Sequence, residues 1–388
     1  MALALFVMLA APAAAQQAAQ LQITTPYAIL VDYDSGTVLY EKSADTPWPP
    51  ASLAKLMTME LVYKEIQEGR LKLDDTLTVS EYAWRKGGAP SGGSSMYASI
   101  HSKVKVTDLI QGVVVVSGND ACIVFAEAIA GNESAFATRM TERARELGLT
   151  TADFRNAPGL HDPDQKVSVR DLAKLSMHII RTYPEFMKYY SQPEFTWNNI
   201  RQQNRNPLLT MGLGADGMKT GYIKESGYGL VGTAVQGGHR LVLAMNGAKS
   251  IKDRADEARR LLEWGFRAFD SRLLFAEGKT VSDARVFGGE RSRVSVVGQR
   301  PIRLLVPRGT ADKLVVRMVY QGPLRAPVKK GAEVARLKVW RGEKVALDVP
   351  LVAADDVAEG GIARRAFDGV YELALDLVRT GLSSIKRN

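Results

Sequence analysis

A single cysteine, Cys122, occurs in 388 residues, so no internal disulfide can form. It stands in an apolar stretch, Ala121 to Ile129, that reads as a helix, where a buried packing residue is expected rather than a nucleophile. Histidine is nearly as scarce: His101, His161, His178 and His239 complete the set. None sits in a Gly-x-Ser-x-Gly elbow, which argues against a serine–histidine–aspartate hydrolase. His161 is expected in a loop, and His178 on a helix (Leu172 to Ile180), packed or solvated. The chain also lacks a His-Glu-x-x-His pair and paired-cysteine spacings, so neither a metal nor another cofactor is expected. Basic runs and nucleic-acid recognition motifs are missing too. The formal net charge of +9 therefore points to anionic lipid or wall polymer, with no nucleic acid as partner.

Three short motifs are present. Ser52-Leu53-Ala54-Lys55 comes first, Ser117-Gly118-Asn119 follows, and Lys219-Thr220-Gly221 comes last. Each alone has a plain reading: a helix cap with a solvated lysine, a turn, a strand end. Two other Ser-x-x-Lys matches, Ser102 to Lys105 and Ser383 to Lys386, read as a surface strand and a tail. The first motif differs in its setting. Pro49-Pro50 cannot lie inside a helix, and Leu53, Leu56, Met57, Glu60 and Leu61 follow at helical spacing. Ser52 would open that helix, with Lys55 on the same face. A serine hydroxyl is a weak nucleophile until a nearby base takes its proton. Lys55 can serve only if neutral, and burial and a second cation, expected to be Lys219, both favour that.

In this order the motifs resemble the signature of penicillin-binding proteins and class A β-lactamases, which implies a serine acyl-transfer enzyme. Ser117 and Asn119 would then supply a proton relay and a hydrogen bond to the substrate amide. Lys219 and Thr220 would hold a substrate carboxylate from a strand beside the cleft, where Gly221 lets substrate backbone lie close. The backbone N–H groups of Ser52 and Tyr222 would form the oxyanion hole.

A longer match narrows the resemblance. It covers Pro50 to Thr58, Ser117 to Cys122, Arg201 to Asn206, Asp216 to Gly221 and Leu262 to Phe266. Through these segments the chain resembles the low-molecular-mass penicillin-binding proteins, the D-alanyl-D-alanine carboxypeptidases of peptidase family S11. The resemblance implies Ser52 as nucleophile and Lys55 as base, with Ser117, Asn119 and Lys219 completing the catalytic set. It places Thr220, Gly221, Tyr222, Arg205 and Arg254 on the substrate side, the two arginines organising the carboxylate. It implies a peptidoglycan pentapeptide as substrate and β-lactams as covalent inhibitors. Tyr222 stands where one branch of the family has histidine. Gly87 to Met96 is Gly/Ser-rich at the position of a mobile loop.

The expected fold is α/β (α+β): an antiparallel sheet flanked by helices, a sandwich of the serine β-lactamase/transpeptidase type. Strands are expected at Tyr27 to Val31 and Thr37 to Glu41, and again at Gly229 to Val235 and Arg240 to Met245, with helices between. A helix over Asp253 to Phe269 would close this part. Short strands at 294–297, 302–306, 314–320, 334–340 and 344–349 predict a small β domain. Phe367, Val370, Tyr371, Ala374, Leu377, Val378, Leu382 and Ile385 then mark an amphipathic helix. Asp376 and Arg379 make a bilayer crossing costly, so it is expected to lie on the inner membrane surface. Ala2 to Ala10 with Ala13-Ala14-Ala15 reads as an export signal without its basic start, which leaves the true start upstream. The expected division is 1–15 signal, 16–276 catalytic, 277–360 β domain and 361–388 anchor, on the periplasmic face.

The function expected is D-Ala-D-Ala carboxypeptidase, with a peptidoglycan endopeptidase or a non-catalytic wall-binding scaffold as alternatives. Without a Glu-x-x-x-Asn element near Asp153 to Gln165, a β-lactamase is disfavoured.

Overall fold

The computed structural model describes residues 21–309 and 314–362. The expected signal and the apolar stripe from Phe367 to Ile385 lie outside the described residues. The chain forms two compact units, one running to Tyr33 and over Val38–Ala268, the other taking Asp34–Thr37 and the chain from Phe269.

The first unit is built on an antiparallel sheet. Its strands are β1 (Tyr27–Asp32), β2 (Val38–Lys42), β3 (Ala215–Ile223), β4 (Gly227–Gln236) and β5 (His239–Ala248), in the order β2-β1-β5-β4-β3. Successive side chains of a strand face opposite ways, and β1 serves both faces. Ile29 and Val31 join the core that holds Leu56, Leu109 and Phe125, while Ala28 and Leu30 join Leu261 and Leu262 on the other side. The sheet is therefore covered twice. On one face lie α1 (Lys55–Gln67), α2 (Val106–Val114), α3 (Asn119–Ala130) and α4 (Val169–Thr182); on the other lies α5 (Ile251–Ala268).

Helix α1 is buried without a break from Lys55 to Tyr63. A helix enclosed on all sides must carry any polar group it needs into the interior. Here those groups are Lys55, Thr58 and Glu60, each at most 1% exposed.

The second unit pairs β6 (Phe269–Phe275) with β9 (Ile302–Pro307). A six-stranded sheet holds β7 (Thr280–Phe287), β8 (Arg293–Val297), β10 (Leu314–Val319), β11 (Leu324–Arg325), β12 (Glu333–Arg341) and β13 (Lys344–Ala353), ordered β10-β12-β13-β8-β7-β11. Ala335, Leu337 and Val339 alternate into its core. The two-residue β11 and two longer strands, β6 and β7, have no counterpart in the sequence reading. The apolar period of α5 runs on to Phe269, and β6 and β7 mix charged with apolar residues. A hairpin of Glu194–Trp197 with Ile200–Gln203 was also missed. Its signal was Asn198-Asn199, both at positive φ, as a tight turn requires.

Candidate active site

Ser52 does not open an α-helix as expected. It lies in a 3₁₀ turn, Ala51–Ala54, that precedes α1 and has no side-chain cap. The tighter winding eclipses residues three apart, which brings the Lys55 Nζ within 2.9 Å of the Ser52 Oγ. Two glycines let this turn be crowded. A Cβ on Gly159 would fall 1.9 Å from the Ala51 carbonyl oxygen, and one on Gly221 would fall 3.0 Å from that of Pro50. The close approach at Gly221, expected toward substrate, is thus first an approach of β3 to the serine turn.

Lys55 is fully buried and makes three contacts. Besides Ser52 it donates to the Asn119 Oδ1 (2.8 Å) and the Pro158 carbonyl (2.7 Å). Burial lowers its pKa to about 8, with the Arg205 guanidinium adding to the effect. The second cation was expected to be Lys219. Lys219 is held far below the ordinary lysine range by burial and by the Lys55 charge, a repulsion that the two lysines share, and Arg205 is a further cation acting on both. Lys219, on β3, donates to the Ser117 Oγ at 2.9 Å and to the Thr220 carbonyl.

Ser117 has φ +63°, a conformation that costs a non-glycine residue about 1 kcal/mol or more. Its neighbours secure it. The Asn119 N–H donates to the Ser94 carbonyl, and the buried Asp120 carboxylate accepts from the Ser95 hydroxyl and the Met96 and Ala98 N–H groups. The Gly/Ser-rich stretch is thereby tied to the second motif. Its Gly87 permits close packing, since a Cβ there would lie 2.5 Å from the Asp120 nitrogen.

A cleft of about 490 Å³ opens over Ser52. Of the expected residues, Ser52, Ser117, Arg205, Thr220, Gly221, Tyr222 and Arg254 line it. Lys55, Asn119 and Lys219 stand behind that wall, joined to it by the hydrogen bonds above. Arg254 is 7% exposed, yet its Nε has no hydrogen-bond partner. Arg205 donates to the Ser94 hydroxyl. Burial lowers the pKa of both guanidiniums, so this end of the cleft is suited to an anion.

Sequence reasoning missed the Ser94, Tyr228 and Ile251 side chains in the wall and the Pro158 carbonyl. The carbonyl and Ser94 carry no motif, but Tyr228 was findable as the cross-strand partner of Tyr222. Cys122 is buried as expected. His178 packs against Glu60, 3.2 Å from its Oε1. Among the described residues no group of three or more His, Cys, Asp or Glu is placed to hold a metal.

A serine set against a buried lysine, with a second lysine and two guanidiniums nearby, is the arrangement of the lysine-dependent serine acyl-transfer enzymes. The family profile described as D-alanyl-D-alanine carboxypeptidase, peptidase S11, matches residues 13–250. A second profile, the C-terminal domain of penicillin-binding protein 5, matches residues 269–359. The chain belongs to the D-alanyl-D-alanine carboxypeptidase family. It is 39% identical to the D-alanyl-D-alanine carboxypeptidase DacC of Escherichia coli, over 88% of this chain and 86% of that one. Penicillin-binding protein 5 from Haemophilus influenzae has a similar structure, with TM-score 0.76 and 35% identity over 88% of this chain and 99% of the other. The ampicillin-bound form of penicillin-binding protein D2 from Listeria monocytogenes is similar over 64% of this chain and all of its own, at 30% identity and TM-score 0.55.

Proposed function

We propose that this protein removes the terminal D-alanine from peptidoglycan stem pentapeptides through an acyl-enzyme on Ser52, and that penicillins acylate the same serine. The observation that carries the mechanism is the set of partners around Lys55. A neutral amine has two N–H donors and one lone pair. Asn119 and the Pro158 carbonyl take the two donors, which turns the lone pair toward the Ser52 hydroxyl. The Ser52 Oγ then attacks the penultimate D-alanine carbonyl while its proton passes to the Lys55 Nζ. The oxyanion is held by the N–H groups of Ser52 and Tyr222. As the carbonyl re-forms, the C–N bond breaks. The proton held by Lys55 passes to the leaving amine by way of the Ser117 hydroxyl, backed by Lys219, which leaves Lys55 neutral again. Thr220, Arg205 and Arg254 hold the departing carboxylate. Water next attacks the ester as Lys55 accepts its proton, and Lys55 returns that proton to the Ser52 Oγ as the C–O bond breaks, which restores both groups. Neither the endopeptidase nor the scaffold alternative is favoured.

The test is D-alanine release from diacyl-L-Lys-D-Ala-D-Ala with a fluorescent penicillin in parallel. Release with stable labelling is expected; labelling without release would defeat the carboxypeptidase reading, and the absence of both would defeat the enzyme.

The proposal extends to location and domain roles. The chain is exported, residues 16–276 carry the chemistry and 277–360 form a spacer or docking domain. Residues 361–388 lie on the periplasmic surface of the inner membrane. No helix among the described residues is long and apolar enough to cross a membrane. Truncation before Phe367 is expected to release the protein from membranes with activity retained.

A further inference from the structure

Beside the anion-suited end of the cleft stand three side chains that the mechanism leaves unused. Tyr222 and Tyr228 face each other across β3 and β4, their rings 4.2 Å apart and 26° from parallel. Tyr222 is nonetheless 51% exposed, and Ile251 is 60% exposed. Isolated apolar groups on a surface need no explanation. These share one wall of the cleft over Ser52.

The Tyr228 ring also lies 5.8 Å from the Arg254 guanidinium carbon. Ring, ring and guanidinium therefore form a column that begins exposed at Tyr222 and ends at an arginine whose Nε is unpartnered. A substrate carboxylate drawn to Arg254 brings its own α-carbon with it, one bond of about 1.5 Å away. The side chain on that carbon then starts within reach of the tyrosines. A methyl group would leave them wet, whereas a larger apolar side chain would cover them.

We propose that Tyr222, Tyr228 and Ile251 form an apolar subsite for the side chain of the substrate's C-terminal residue, so that the enzyme accepts C-terminal D-residues larger than alanine. This rests on the carboxypeptidase reading above. The subsite is preorganised, because each tyrosine is held by the other and little side-chain freedom is lost on binding. The cleft falls within the usual 300–1,000 Å³ range for small-molecule sites (roughly;), enough for more than two methyl side chains.

The experiment compares diacyl-L-Lys-D-Ala-D-Xaa peptides with alanine, leucine or phenylalanine at the last position. The quantity read is the ratio of kcat/KM for each large residue to that for alanine, measured within each enzyme so that partial misfolding cancels. The native ratio for phenylalanine is expected within about threefold of unity. Tyr222→Ala should lower it about tenfold, the scale of a lost apolar contact in a binding pocket. Tyr222→Phe should keep it, and Ile251→Ser, on a different element, should lower it severalfold. A native ratio below about one hundredth would overturn the subsite, as would a Tyr222→Ala ratio equal to the native one. If the native chain releases no D-alanine from D-Ala-D-Ala at all, the carboxypeptidase reading has failed and this proposal falls with it.

Discussion

Among the described residues, the buried side chains of the β unit are alanine, valine, leucine and isoleucine. The first unit adds aromatics and methionines such as Phe125, Tyr190 and Met57 to an aliphatic core, and also buries Lys55, Glu60, Asp120, Lys219 and Arg254. Removing a charge from water is costly unless a partner offsets it, so the contrast separates a unit selected for packing from one that gives up stability for chemistry. It also separates the buried charges from one another. Glu60 has counter-charges in Arg143 and His178, and its carboxyl is held below the ordinary range despite burial, by the hydrogen bonds from those two. Among the described residues, Lys55 and Lys219 donate to hydroxyls, a carboxamide and carbonyls and form no ion pair. Paired burial belongs to the scaffold, and burial without a counter-charge points to the site.

The sharpest break is at the nucleophile. Ser52→Ala removes the hydroxyl that, among the described residues, lies within hydrogen-bond reach of the Lys55 amine. Penicillin labelling and D-alanine release should both fall at least about a thousandfold. Release that persists would mean the unpaired cations serve some other nucleophile.

The pH profile tests the cations next. With its pKa lowered to about 8, Lys55 is mostly protonated at pH 7 and mostly neutral at pH 9. The base form thus grows as pH rises, and the acylation rate should climb about tenfold per pH unit below 8 and flatten above it. The ionisation observed belongs to Lys55 and Lys219 together. Because the Arg205 charge helps to lower the Lys55 pKa, Arg205→Ala should move the rise to higher pH. A rate that is flat or falling through pH 8 removes Lys55 as the base.

Much of this was legible in the sequence because its signals are local. Apolar runs broken by turn residues marked the strands of the sheet, and the three motifs named residues that do converge on one cleft. Spacing could not say how they converge. The 3₁₀ turn at Ser52 is set by the crowding of Gly159 and Gly221, residues more than a hundred positions downstream. The partners of Lys55 include a main-chain carbonyl, at Pro158, which no residue type announces. Glu60 looked like one more member of a helical period until folding placed Arg143 and His178 against it. The mixture of charged and apolar residues in β6 and β7 hid them, since pairing rather than an apolar run makes them strands.

The smallest effect on activity offers the finest test of the contrast between units. Leu337→Ala empties a 1% exposed position in the β core and should cost about 3 kcal/mol. Glu60→Ala should cost a similar amount, about 3 kcal/mol, because it strands the partly buried Arg143 without its counter-charge. Denaturant melts would report comparable losses. Their effects on acylation should differ. Glu60 lies on α1 five residues from Lys55, so loosening its contacts with α4 and Arg143 shifts the base relative to Ser52, and a severalfold slower penicillin reaction is expected. Leu337 lies in the unit whose described residues bury no charge, and its replacement should leave kcat and the acylation rate within about twofold. Equal slowing in both variants, at equal loss of stability, would mean that the two units do not divide packing from chemistry as their buried residues suggest.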